Sequence, residues 1–144
     1  MRDCQLCHSA GGTLIWQDER CRVVRVEGAE GTSFPGYCRV IWHEHVSELT
    51  DLAAAARDHL LRVVCAVETG VRQLSAPDKI NLAALGNMVP HLHWHVIPRW
   101  RDDSHFPASI WSAPARQAPS RPLPTDDALR SAIVAQLGAT EDAK

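Results

Sequence analysis

The sequence is short of positive charge, of long apolar runs and of paired metal motifs, and each shortage removes a class of function. Lysine and arginine number 15 against 17 aspartates and glutamates, a formal net charge of −2. The chain therefore carries no basic footprint of the kind that holds a nucleic-acid polymer, although a small phosphorylated ligand remains open. No run approaches the roughly 18 apolar residues of a membrane span, and Met1-Arg2-Asp3-Cys4-Gln5 lacks the apolar core of a signal peptide. The expectation is a cytoplasmic protein without membrane attachment. No internal repeat is visible. With 144 residues the chain has room for one domain with a real core, and so for one main site.

Cysteine is present in an odd number, five, which disfavours a disulfide framework in a reducing compartment. Cys21, Cys38 and Cys65 stand in apolar runs and read as buried free thiols. Cys4-Gln5-Leu6-Cys7 is different, a C-x-x-C pair whose spacing lets two thiolates reach one metal ion. No second such pair follows, so any zinc would need histidines from far along the chain.

What is there in plenty is histidine at one place. In Pro90-His91-Leu92-His93-Trp94-His95-Val96-Ile97-Pro98 three histidines alternate with apolar residues. A β-strand sends successive side chains to opposite faces, so the three imidazoles share one face, about 7 Å apart, while Leu92, Trp94 and Val96 face a core. A buried row of unpaired imidazoles is costly, so that face is expected to line a polar site.

Around this strand the chain reads as follows. Thr13–Trp16 and Cys21–Val26 form a hairpin turning at Gln17–Arg20. Residues 27–35 read as a Gly-rich loop, and Tyr37–Trp42 is a third strand ending at His43-Glu44-His45, where His43 reads as loop polarity. Thr50-Asp51 marks the start of a long amphipathic helix whose stripe runs from Leu52 through Ala56, Leu60, Val63, Val64, Val67 and Val71 to Leu74, with His59 on its surface. Lys79–Leu85 is a fourth strand, antiparallel to the histidine strand because so few residues join them. That pairing brings Asn81 and Asn87 near the histidines, and Gly86 lets a bound group approach the backbone at Asn87. Residues 100–111 form a loop, either a lid or a surface connection. Residues 114–124 read as an extended Pro-rich linker, Thr125-Asp126-Asp127 caps a short last helix through Leu129, Ile133 and Leu137, and the tail beyond Gly138 reads as frayed.

The segment from Gly86 to Ile97 resembles the signature of the histidine triad (HIT) superfamily, His-φ-His-φ-His-φ-φ with φ apolar. Pro35-Gly36-Tyr37 through His45-Val46, and Leu49-Thr50-Asp51-Leu52, are similar to the family's Pro-Gly strand and its turn into a long helix. The likeness covers residues 4–111. It implies an α+β domain, an HIT-like five-stranded antiparallel sheet with one long helix, over residues 1–112. Residues 113–144 then supply the linker and a short C-terminal helix, packed on or extending from that domain. It also implies a homodimer formed through the long helix and neighbouring strands.

In function, the resemblance implies cleavage at the α-phosphate of a nucleotide, purine by preference. The substrates are dinucleoside polyphosphates, nucleoside phosphoramidates or, by transfer, nucleotidyl sugars. The middle histidine, His93, attacks phosphorus; the backbone carbonyl at His91 pins its other nitrogen; His95 donates to phosphate or leaving-group oxygens. No metal is needed for that step. Asn87, Asn81 and Gly86 are the candidate phosphate and substrate contacts, and Glu27 the candidate for ribose. Zinc-containing members imply a structural site here at Cys4, Cys7, His45 and His91. Two positions depart from the pattern. Tyr37 stands where many members carry a relay histidine, and Met88 stands where a hydroxyl residue meets phosphate. These departures keep open a non-catalytic nucleotide-sensing module of the same fold. A third reading makes His91, His93 and His95 ligands of a catalytic metal.

Overall fold

The computed structural model describes residues 3–142, with side chains to residue 138. Among these, the strands form one five-stranded antiparallel sheet in the order β1-β2-β3-β5-β4. The strands are β1 (Thr13–Gln17), β2 (Cys21–Arg25), β3 (Cys38–Trp42), β4 (Lys79–Ala83) and β5 (His93–Arg99). No helix among the described residues is long and apolar enough to cross a membrane.

The alternation of each strand sorts the chain into two layers. Cys21, Val23, Cys38, Val40, Trp42, Ile80 and Val96 face one side and bury against α3 (Ala54–Ser75) through Leu60, Val63, Val64, Val67 and Val71. Each such aliphatic side chain contributes about 1.5–3 kcal/mol when fully buried. The last helix, α4 (Asp126–Asp142), lies on α3 and β1, with Leu129 and Ile133 fully buried. Close approach is possible because Gly70 of α3 has no side chain: a Cβ there would stand 3.3 Å from Ala132 and Ile133. Arg25 fastens α4 to the sheet by an ion pair with Asp126 at 2.7 Å.

The opposite face carries His93 and His95 of β5 together with Tyr37, Arg39 and Ile41 from the β3 side. The register sets Arg39 opposite His95 and Ile41 opposite His93. Two covers sit on this face and leave a gap between them. One is the N-terminal segment with the short helix α1 (Gln5–His8), whose Leu6 packs on Val24 and Ile41. Arg22 holds that segment down by donating to the carbonyls of Leu6, Ser9 and Ala10 at 2.8–3.1 Å. The other cover is α2 (Gly28–Ser33) with the chain beyond β5, where Val26, Phe34, Tyr37, Ile97 and Ile110 form a second small core.

Several expectations from sequence need correction. The stretch 27–35 is not a loop: it contains α2. The long helix starts at Ala54, not at Thr50-Asp51, because Glu48 and Asp51 cap each other's backbone within a separate 3-10 turn, Leu49–Asp51. Its stripe fades at Leu74, which is 39% exposed, and Cys65 is exposed rather than buried. The fourth strand stops at Ala83. The final helix runs past Gly138 to Asp142. The chain from 114 to 124 is extended, yet it is tied down: Arg116 donates to the carbonyls of Asp103 and Phe106 at 2.6 and 2.8 Å.

Candidate active site

His93 and His95 project from β5 into a cavity of about 520 Å³, within the range of small-ligand sites. Gln5, Leu6 and Ser9–Gly12 wall it on one side, and Arg39 and Val89 complete it. The wall can lie this close to the sheet because of its glycines. A Cβ on Gly12 would fall 2.5 Å from the Arg25 carbonyl oxygen, and Gly11 adopts φ +84 against Leu6 and Ile41.

The hydrogen bonds around the two rings fix their tautomers. His93 Nδ1 donates to the His91 carbonyl at 2.6 Å, so the lone pair is left on Nε2. The Tyr37 hydroxyl lies 2.7 Å from His95 Nδ1. Burial pushes the Tyr37 hydroxyl up to about 12, and burial, together with the neighbouring His93 and Arg39, pushes His95 down to about 3. Near neutral pH tyrosine is therefore the donor, Nδ1 accepts, and the His95 proton resides on Nε2. Burial also lowers His93, against the support of the His91 carbonyl, and the Arg39 charge lowers it further. Both rings are neutral near pH 7, the state in which an imidazole can attack or donate a hydrogen bond.

His91 does something else. It precedes the ladder, since β5 begins at His93, and its amide turns back to the Val89 carbonyl at 2.8 Å. Its ring is fully buried and gathers with Cys4, Cys7 and His45. Its Nδ1 lies 3.4 Å from Cys4 Sγ, 3.5 Å from Cys7 Sγ and 3.3 Å from His45 Nδ1, and Cys7 Sγ lies 3.4 Å from His45 Nδ1. A tetrahedral Zn²⁺ with Zn–S about 2.3 Å and Zn–N about 2.0–2.1 Å has ligand-to-ligand edges of about 3.3–3.8 Å, the shortest between nitrogens and the longest between sulfurs. The four separations above lie in that range, and all four ligand atoms lie within 4.8 Å of one another. His91 Nε2 donates to the Trp42 carbonyl at 2.6 Å, which leaves Nδ1 as the free ligand atom, the usual arrangement of a metal-binding histidine. The cage fits zinc. Because His91 is turned into it, the three triad histidines do not form one metal-binding group among the described residues, and the catalytic-metal reading loses a ligand.

A family model described as the HIT domain matches residues 10–102. The chain belongs to the HIT domain family. Among its relatives, the AP-4-A phosphorylase of Mycobacterium tuberculosis is 32% identical over 78 residues, half of this chain and 40% of that protein. The chain thus spans about two-fifths of the curated relatives it matches. A histidine triad protein from Bradyrhizobium japonicum shares the fold with TM-score 0.66 at 23% identity, over 90% of each chain. One from Marinobacter aquaeolei gives 0.65 at 25% identity, over 93% of this chain and 91% of that one. A zinc-bound family protein from Mycobacterium smegmatis gives 0.57 at 19% identity, over 99% of each.

The remaining candidate residues of this HIT chain scatter. Asn81 lies on the histidine side of the sheet, opposite Ile97, but its Oδ1 accepts from Arg99 Nη1 at 2.8 Å. Glu27 accepts a hydrogen bond from Thr13 and does not line the cavity. Asn87 is exposed, and Gly86 borders a different cavity of about 230 Å³ that also touches His91 and His93. His43 and His59, read as surface polarity, are both fastened to Asp18: His43 Nε2 to its carbonyl at 3.0 Å, His59 Nε2 to Oδ2 at 2.6 Å.

The loop 100–111 is largely exposed but anchored at Asp103 and Ile110. The Asp103 carboxylate, fully buried, accepts from Arg99 Nε and Nη2 and from the amides of Trp100, His105 and Phe106. The loop thereby sets Trp111 edge-on to His95, with ring centroids 5.1 Å apart. Sequence reasoning missed Arg39, the cavity wall at residues 5–12, and this Trp111 contact. For Arg39 a signal existed: a lone cation inside the apolar run Cys38-Arg39-Val40-Ile41-Trp42.

Proposed function

We propose that this HIT chain is a nucleotide hydrolase or nucleotidyl transferase acting at the α-phosphate through a nucleotidyl-His93 intermediate. The observation that carries the reading is the His93 hydrogen bond to the His91 carbonyl, 2.6 Å, which leaves Nε2 bare at the cavity. In the first step the Nε2 lone pair forms a bond to phosphorus, the bond from phosphorus to the leaving oxygen or nitrogen breaks, and its electron pair departs with the leaving group. The ring becomes cationic, with its Nδ1 proton retained against the His91 carbonyl. His95 Nε2–H donates to a phosphoryl or leaving-group oxygen as charge grows there. Water, or an acceptor alcohol or phosphate, then attacks phosphorus, the pair of the P–N bond returns to His93 Nε2, and the proton of the attacking oxygen passes to solvent.

Dinucleoside polyphosphates and nucleoside phosphoramidates are the proposed substrates, and the names of the curated relatives favour the former. Cys4, Cys7, His45 and His91 would hold a zinc ion, which supplies structural cross-linking and no open coordination position. A second copy of the chain is proposed to pair through α3 and the neighbouring strands, where Leu61 of α3 and Leu82 of the edge strand β4 are exposed.

Intact-mass analysis after brief mixing with diadenosine tetraphosphate tests the chemistry. An AMP adduct that peptide mapping puts on His93, and that His93→Ala lacks, is expected. Tight AMP binding with neither adduct nor turnover would favour the sensing module instead.

A further inference from the structure

We propose that Arg39 selects the substrate by binding the phosphates beyond the one attacked, so that the site prefers polyphosphate leaving groups to uncharged ones. The proposal rests on the reading of His93 as the attacking residue, and it adds a residue that the triad pattern does not contain.

Arg39 lies directly opposite His95 in the β3–β5 ladder, on the same face of the sheet. It lines the 520 Å³ cavity with His93 and His95. Its hydrogen bonding leaves capacity free. Nη1 donates to the Gly11 carbonyl at 3.1 Å, and Nη2 forms a long, half-exposed ion pair with Glu30 Oε2 at 3.9 Å, which is not a hydrogen bond and leaves its N–H groups available. The other site-facing arginines are committed: Arg99 is forked onto Asp103 at 2.8 and 3.1 Å, and Arg22 holds three carbonyls. A guanidinium has five N–H donors in a planar fork suited to phosphate oxygens. The Tyr37 ring, 5.7 Å from the guanidinium carbon, and the Gly11 carbonyl hold that fork in place.

A cation is needed here because the other donors are neutral or absent. Among the described residues lining the cavity Arg39 is the one lysine or arginine, and Met88, at the position where the family pattern has a hydroxyl, is 95% exposed and offers no donor. A polyphosphate with several negative charges would enter a cavity without a formal positive charge but for Arg39. A phosphoramidate whose leaving group is a neutral amine gains little from it.

Calorimetric titration with AMP and with the α,β-methylene analogue of ADP measures the charge subsite without turnover. Wild type is expected to bind the analogue at least about tenfold more tightly than AMP, in line with one or two hydrogen bonds to a charged group. Arg39→Gln is expected to abolish that preference while AMP affinity stays within about threefold, and Arg39→Lys to restore part of it. No preference in wild type, a preference that survives in Arg39→Gln, or an equal loss for both ligands overturns the proposal; the last result would mark Arg39 as a brace for the Gly11 wall. A parallel comparison of kcat/KM on diadenosine tetraphosphate and adenosine 5′-phosphoramidate should show their ratio falling about tenfold or more in Arg39→Gln. Absence of any adenylyl-His93 in wild type would remove the hydrolase reading, and the titration would still decide the role of Arg39.

Discussion

Tyr37 and His95 make one unit of two residues, and its direction is set by burial. The phenol is held up to about 12 and the imidazole down to about 3, so the shared proton stays on oxygen across the neutral range. Tyr37 is then a positioning residue that keeps the His95 proton on Nε2, where the substrate would be. Tyr37→Phe removes the fixed tautomer but keeps the ring that packs with Val26, Phe34, Ile97 and Ile110. The expected result is a fall in kcat of about tenfold with little change in KM, and a stability loss of only about 1 kcal/mol from one missing hydrogen bond. Steady-state kinetics beside urea denaturation separates the two. A stability loss without any change in kcat would reduce the hydroxyl to a structural role.

His95 also gives the fold a pH slope of known sign. Its folded value lies far below the ordinary 6.5, chiefly through burial. Between pH 6.5 and about 3 the unfolded chain binds a proton at this ring that the folded chain refuses. The stability it contributes is complete above pH 6.5 and is lost as pH falls through that window. Melting temperatures taken from pH 7 to pH 4 should decline for wild type and decline less for His95→Asn.

At the scale of elements, the loop after β5 depends on Asp103. Five donors converge on that carboxylate, which holds it down to about 2 against the opposing effect of burial. Asp103→Ala would strand the buried Arg99 guanidinium, a type of change that costs about 3–5 kcal/mol. Chemical denaturation should show a loss of that size, and Trp111 fluorescence should show the ring leaving His95. Asp103→Asn keeps some of the acceptors and should fall between the two.

The legible elements were those with a strong period. The alternation of His93-Trp94-His95-Val96 made β5 readable, the tight connection made β4 its antiparallel neighbour, and the Leu60–Val71 stripe made α3 readable. What the sequence hid were places where a tertiary partner replaced a local rule. α2 was hidden because Gly28 and Gly31 break propensity; a Cβ at Gly31 would fall 2.1 Å from the Val26 carbonyl oxygen, so glycine is required for that turn. His91 keeps the triad's sequence spacing yet leaves the strand, because Pro90 and the turn onto Val89 end the ladder before it. Asn81 was placed on the correct side of the sheet, but Arg99, four residues past His95, takes its oxygen. Arg99 lies 18 residues from Asn81, so no short window reveals that pairing, whereas the contacts of Gly31 with Val26 and of His91 with Val89 are local but run through backbone carbonyls that side-chain periodicity does not read.

Across the whole molecule, the metal cage and the substrate cavity share one segment. Cys4 and Cys7 sit in the cage, while Gln5, Leu6 and the next few residues to Gly12 wall the cavity. On the far side of the cage, His91 supplies the carbonyl that orients His93. A bound zinc ion would thus join the cavity's outer wall to the strand that carries the attacking ring. Cys7→Ser would remove one ligand while leaving every cavity-lining side chain intact. Without the metal, the N-terminal segment keeps the three carbonyl contacts to Arg22 and the packing of Leu6 on Val24 and Ile41, so the fold should survive. The expected outcome is a protein that elutes without zinc by elemental analysis, melts several degrees lower, and exchanges the amides of residues 5–12 faster. KM should rise more than kcat falls, because the wall is loosened while the His93–His91 hydrogen bond depends mainly on backbone. Zinc-free protein with unchanged exchange at residues 5–12 would show that the segment is held by Arg22 alone and that cage and cavity are mechanically independent.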